Sequence, residues 1–200
     1  GFMLLGPFVV PLAALMFYWE MNIPRNIPLY EVLLMFLAGG VISLFISMIL
    51  FQVIPMETAS FAAFCEEPGK LLALAIFLRK PQKKYILNGV LIGGAVGAGF
   101  AAIESAGYAL NSLVYAGSAW ESVMMRGILA PGGHVVWAAI EGAALAMVKG
   151  AEPLSINHLG NIHFLKYFAC SVILHFIWNS ELSIATIPVF GDVKYVILTV

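Results

Sequence analysis

Charge is what this sequence has least of. Only 10% of its 200 residues are Asp, Glu, Lys or Arg, too few to coat a particle of this size in water. With 62% hydrophobic residues and a mean hydropathy of +0.96, the composition lies far outside that of soluble domains. A cytosolic enzyme and a disordered chain are excluded. Cysteine is scarce as well: Cys65 and Cys170 are too few for a disulfide scaffold, and both sit in apolar stretches where they read as buried thiols. Neither sign of charge predominates, and the net charge of -1 leaves no basic field to hold nucleic acid as a partner. Internal repeats, low-complexity tracts and long polar loops are missing too, so residues 1–200 read as a single domain. Long apolar runs are abundant, which makes the lipid bilayer the expected solvent.

A helix needs roughly 20 apolar residues to cross the hydrocarbon layer. Six stretches qualify: Phe2 to Trp19, Val32 to Pro55, Ala59 to Leu78, Tyr85 to Leu110, Gly132 to Val148, and Phe164 to Leu182. A seventh begins near Val193. Each is expected to be helical, because an unclosed strand would leave backbone polar groups unpaired in lipid. The expected fold class is therefore all-α, a polytopic transmembrane bundle of six to seven spans. In the fourth span Gly89, Gly93 and Gly97, with Gly94 and Gly99 nearby, form a small-residue stripe that lets another helix approach closely. The stretch Asn111 to Pro131 is expected to be a loop.

Basic residues set the orientation. The densest cluster, Arg79, Lys80, Lys83 and Lys84, belongs in the cytoplasm. Strict alternation then places Arg25, Lys149 and Lys166 on the same side and leaves Arg126 and Lys194 outside. The expectation is a multi-pass protein of the cell membrane.

Ionisable residues inside apolar spans are costly, so those present are informative. The third span carries Glu66, Glu67 and Lys70, the fourth Glu104, the fifth His134 and Glu141, and the sixth His175 and Asn179. At ~1.5 Å rise per residue, Glu66, Glu104 and His175 each lie about 10 Å below the extracytoplasmic surface. His134 is shallower. Neighbouring spans run in opposite directions, so a common depth suggests one site in the outer half of the bilayer. Carboxylates, imidazoles and an amide at one level can activate water, hold a metal and stabilise an oxyanion. Pro68 and Gly69 weaken the third span, predicting a kink and a hydrated pocket beside Glu66 and Glu67. Glu141 reads as structural, being two turns from His134.

Four motifs carry a resemblance: Glu66-Glu67-x-x-Lys70, Phe100-x-x-x-Glu104, Pro131-Gly132-Gly133-His134 and His175-x-x-x-Asn179. Together they span residues 59–182, and in that core the chain resembles the PrsW-type intramembrane proteases of the CAAX protease and bacteriocin-processing superfamily. The CAAX-type relatives show Arg rather than Lys, one residue further on than Lys70, and His where this chain has Glu104, which favours the PrsW-type branch. The resemblance implies an endopeptidase acting on a membrane-anchored protein such as an anti-sigma factor, with a first cut near the extracytoplasmic face. The expected catalytic residues are Glu66, Glu67, Glu104, His175 and Asn179. Glu66 or Glu67 would be the general base, and Asn179 would donate to the oxyanion. If Zn2+ is present, Glu104, His134 and His175 are the expected ligands; without it, a metal-free glutamate mechanism is open, because the His-Glu-x-x-His signature is missing. The alternative function is a proton- or ion-coupled transporter using intramembrane Glu and His.

Overall fold

The computed structural model describes residues 2–55, 57–118, 120–129, 132–187 and 191–198. Helix α1 runs Phe2–Met21 and α2 Leu29–Val53; a 3-10 turn, Ala59–Ala62, leads into α3, Ala63–Leu78. The long α4, Ile86–Ala116, is followed by α5, Trp120–Leu129, α6, His134–Lys149, the single turn α7, Ile156–Leu159, and α8, Ile162–Asn179. A two-residue antiparallel pair, β1 Thr186–Ile187 with β2 Gly191–Asp192, precedes α9, Val193–Ile197. The fold is all-α, as expected. Two of the helices, Leu29–Val53 and Ile86–Tyr115, are long and apolar enough to cross a membrane by length and composition, and Leu5–Met21 is a shorter apolar helix.

Helix α4 lies at the centre, packed against α1, α2, α3, α5 and α6. Its glycines explain why. A side chain at Gly89 or Gly93 would run into the backbone carbonyls of Gly142 and Ala138 on α6, and one at Gly97 into that of His134. Gly99, on another face, has the same relation to Phe36 of α2. Small residues four apart thus let α6 and α2 pack directly on the α4 backbone, around a core that includes Leu15, Met35, Phe36, Leu74, Leu91, Ile92 and Val96.

At one end of the bundle the connections are tied by polar contacts. Asn88 bridges Asn22 and Asn26 at 3.2 and 2.7 Å, Lys83 pairs with Glu31 at 2.5 Å, Lys149 Nζ donates to the Lys83 carbonyl at 3.3 Å, and the Leu154 N–H donates to that of Arg79. The segments around Asn26, Lys83 and Glu152 therefore share one end of the bundle.

Several expectations are corrected. The stretch Asn111 to Pro131 is no simple loop: α4 continues to Ala116 and α5 occupies Trp120–Leu129, while Pro131 itself falls outside the described residues. Of the seventh apolar segment, the described residues include the five-residue α9. Cys65 is buried, but Cys170 is exposed on the bundle surface. Pro68 lies inside a continuous α3, and Gly69 packs against Ser43 and Ser47 of α2. The 3-10 turn Ala59–Ala62 leads directly into this helix.

Candidate active site

Helix α3 delivers a fully buried ion pair. Glu67 and Lys70 are three residues apart and so share a helix face; Lys70 Nζ donates to Glu67 Oε1 at 2.7 Å, with both side chains sealed from solvent. The ammonium also donates to His134 Nδ1 at 3.2 Å and lies over the Phe100 and Trp137 rings at 5.3 and 5.7 Å. A carboxylate, an imidazole and two aromatic faces replace the water that a lysine normally keeps.

From α8, His175 reaches the same carboxylate: its Nδ1 lies 2.5 Å from Glu67 Oε1. A carboxylate only accepts, so Nδ1 carries the proton and Nε2 presents its lone pair. Toward that lone pair point the Asn179 amide at 3.1 Å and Glu66 Oε2 at 3.5 Å. Trp137, from α6, stacks on the imidazole with centroids 4.9 Å apart. Ring orientation is thus fixed from two sides. Glu66 Oε2 is buried and has no hydrogen-bond partner.

His134 opens α6. Because Lys70 donates to its Nδ1, its Nε2 carries the proton and donates to Glu104 Oε2 at 3.1 Å. Its ring meets that of His175 edge-on, centroids 4.9 Å apart. His134 therefore belongs to the same cluster, although counting residues placed it nearer the surface; the backbone contact with Gly97 seats the start of α6 against α4. Glu104 is further engaged by Arg126, which pairs with its Oε2, donates from Nε to Ser105 Oγ at 3.1 Å and stacks on Tyr108 at 4.1 Å.

Arg126 was expected in an outer loop. The structure folds it inward because α5 packs against α1 and α4. Trp137 and Arg126 are the site neighbours that motif reading missed. Trp137 carried a signal, standing three residues after His134 on the same helical face.

Of the expected residues, Glu66, Glu67, Glu104, His134, His175 and Asn179 all meet in this cluster, with Lys70 at its base. Glu141 lies beside Glu67 and outside the group around His175 Nε2. The expected metal set changes by one member. The donors that converge are Glu66, His134 and His175, each offering an atom within 4.8 Å of the others. Glu104 is turned instead to Arg126 and His134. One carboxylate and two imidazoles are a donor set that catalytic zinc sites use, and the partnerless Glu66 Oε2 is the kind of buried oxygen an ion would satisfy. The residues fit a divalent metal if His134 gives up one of its two present contacts, to Lys70 or to Glu104, and so frees a ring nitrogen.

The predicted pocket beside the glutamates is displaced. A cavity of about 280 Å³ opens among Tyr108, Met125, Arg126, Leu129, Trp178, Asn179 and Tyr195, so the room lies over the Asn179 and Arg126 side of the cluster. A second, of about 20 Å³, touches His134, Trp137 and Arg126.

Buried acids and imidazoles meeting inside an apolar helical bundle are the build of an intramembrane hydrolase. The chain matches the PrsW family of intramembrane metalloproteases over residues 27–200 and belongs to that family. It is accordingly a protease of the metallopeptidase class, acting on a membrane protein in a lipid bilayer. No curated protein and no solved structure matches the chain.

Proposed function

We propose that the protein hydrolyses a peptide bond of a membrane-anchored protein in the half of the bilayer remote from the Arg79–Lys84 cluster, with Glu66 and His175 at the reaction centre. The observation that carries this reading is the bare, buried Glu66 Oε2, 3.5 Å from the lone-pair nitrogen of His175. A water lodged against them would give its proton to Glu66 and attack the scissile carbonyl while Glu66 is free of metal; with an ion bound, Glu66 would serve as ligand and not as base. Glu67 holds His175 in the tautomer that leaves Nε2 free, and Lys70 compensates the Glu67 charge where water cannot. Asn179 Nδ2 is positioned to donate to the developing oxyanion. Glu66, His134 and His175 would hold the metal, which when bound makes water a stronger nucleophile at neutral pH and polarises the carbonyl. The cavity beside Asn179 gives the substrate segment access.

Orientation follows the positive-inside rule. The tied end of the bundle holds Arg79, Lys80, Lys83 and Lys84 and belongs in the cytoplasm, whereas Glu104 and Asn179 lie toward the other ends of α4 and α8. An exposed apolar stripe on α2, including Leu37, Val41, Phe45 and Met48, suits lipid contact. These features support six to seven spans and an extracytoplasmic cut. An anti-sigma factor is the substrate that the family resemblance implies, with this cut first in a proteolytic sequence. The transporter reading is not favoured: the family is one of proteases, and the site groups close on one another.

The test is cleavage of a fluorogenic single-span peptide by the purified protein in detergent or liposomes. Glu66→Gln and His175→Ala should each abolish turnover while the protein stays folded in the membrane. Full turnover by both variants would remove the assignment.

A further inference from the structure

Glu141 has no part in the chemistry above, and its burial needs an explanation. It lies on α6, wholly sealed from solvent, and neither carboxyl oxygen has a hydrogen-bond partner. Around it stand Glu67 and Lys70 of α3 and Ser171 of α8. Glu67 Oε2 is likewise buried and partnerless, while Oε1 of the same group holds both Lys70 and His175.

The available donors are already committed. Lys70 Nζ is bound to Glu67 Oε1 and His134 Nδ1. The Ser171 hydroxyl lies 3.2 and 3.3 Å from the carbonyls of Trp137 and Tyr167. Two facing carboxylates in a waterless interior cannot both stay ionised. Glu67 has a cation and an imidazole N–H; Glu141 has neither. One proton between the acids would satisfy both orphaned groups.

We propose that Glu141 is a neutral carboxylic acid whose O–H donates to Glu67 Oε2, making it a positioning residue that fixes Glu67 while Glu67 orients His175. Its proton stays on Glu141 through the cycle, and no bond to substrate or water is made. The kinetic consequence rests on the protease reading; the protonation state does not.

Infrared spectroscopy of the purified full chain at neutral pH tests the state directly. Wild type should show the carbonyl stretch of a protonated carboxylic acid that Glu141→Gln removes and Glu141→Asp shifts. A wild-type spectrum without such a band, or one that both variants leave unchanged, overturns the proposal. In peptide cleavage, Glu141→Gln keeps a donor toward Glu67 and should retain kcat within about threefold, whereas Glu141→Leu should lower kcat by about tenfold to a hundredfold with KM unchanged. Equal losses in the Gln and Leu variants would refute the donor role. If wild type cleaves no test peptide, the protease reading fails alone and the infrared result still decides the state of Glu141.

Discussion

Replacing Lys70 with Met tests the base of the site most severely. Met keeps much of the side-chain length and removes the charge, so Glu67 would be left fully buried with two donors, His175 Nδ1 and the proposed Glu141 O–H, and no cation. Removing one member of a buried ion pair costs about 3–5 kcal/mol, because the other charge stays uncompensated. His134 Nδ1 also loses its donor, and the Phe100 and Trp137 rings lose their cation. At about 2–4 °C per kcal/mol for a chain of this size, the apparent melting temperature should fall by about 6–20 °C. The assay is tryptophan-fluorescence melting in one detergent at one scan rate, since membrane proteins often unfold irreversibly. Adding Glu67→Gln to Lys70→Met removes the stranded charge and should recover about 1–3 kcal/mol. A Lys70→Met protein melting within 2 °C of wild type (roughly 1 kcal/mol or less), or a double variant no better than the single one, would show that Glu67 is not held as a buried carboxylate by this lysine.

Gly93→Val should separate α4 from α6, because a side chain there collides with the Ala138 carbonyl; the expected loss is about 1–3 kcal/mol or more, read in the same melting assay, and an unchanged melt would deny the close approach. Arg126→Ala removes the partner of Glu104 from α5 and should slow peptide cleavage about tenfold with little change in melting; equal turnover would make Arg126 a bystander. Chelation should abolish cleavage, and His175→Ala should lower the metal content of the purified protein from about one ion per chain toward none; metal retained at the wild-type level would exclude His175 as a ligand.

The residues of the site and their clustering were legible in the amino-acid order. Glu66, Glu104 and His175 stand at matching counts from the ends of their apolar stretches, and a rise of ~1.5 Å per residue converts such a count into a height along the bundle. The small-residue stripe was legible for the same reason, because spacing by four puts Gly89, Gly93 and Gly97 on one helical face whatever surrounds it. Rotation about each helix axis is not written in that count. Glu66 and Glu67 are neighbours in sequence with equal chemistry, yet Glu67 turns to Lys70 and His175 while Glu66 is left bare. Which is which depends on how α3 rolls against α6 and α8. Cys170 was misread as buried on the same ground: an apolar span gives no preference between a neighbour helix and the outside.

Hydropathy and the cost of charge in lipid thus determined the helical class, the candidate spans and the acids and imidazoles that had to find one another. Tertiary packing alone decided that Arg126 folds back onto Glu104, that Glu66 replaces Glu104 among the converging donors, that Trp137 stacks on His175 and that Glu141 faces Glu67. The physical reason is that burial from water is a property of a segment, whereas the partner of a buried polar group is a property of the interface that the segment happens to share.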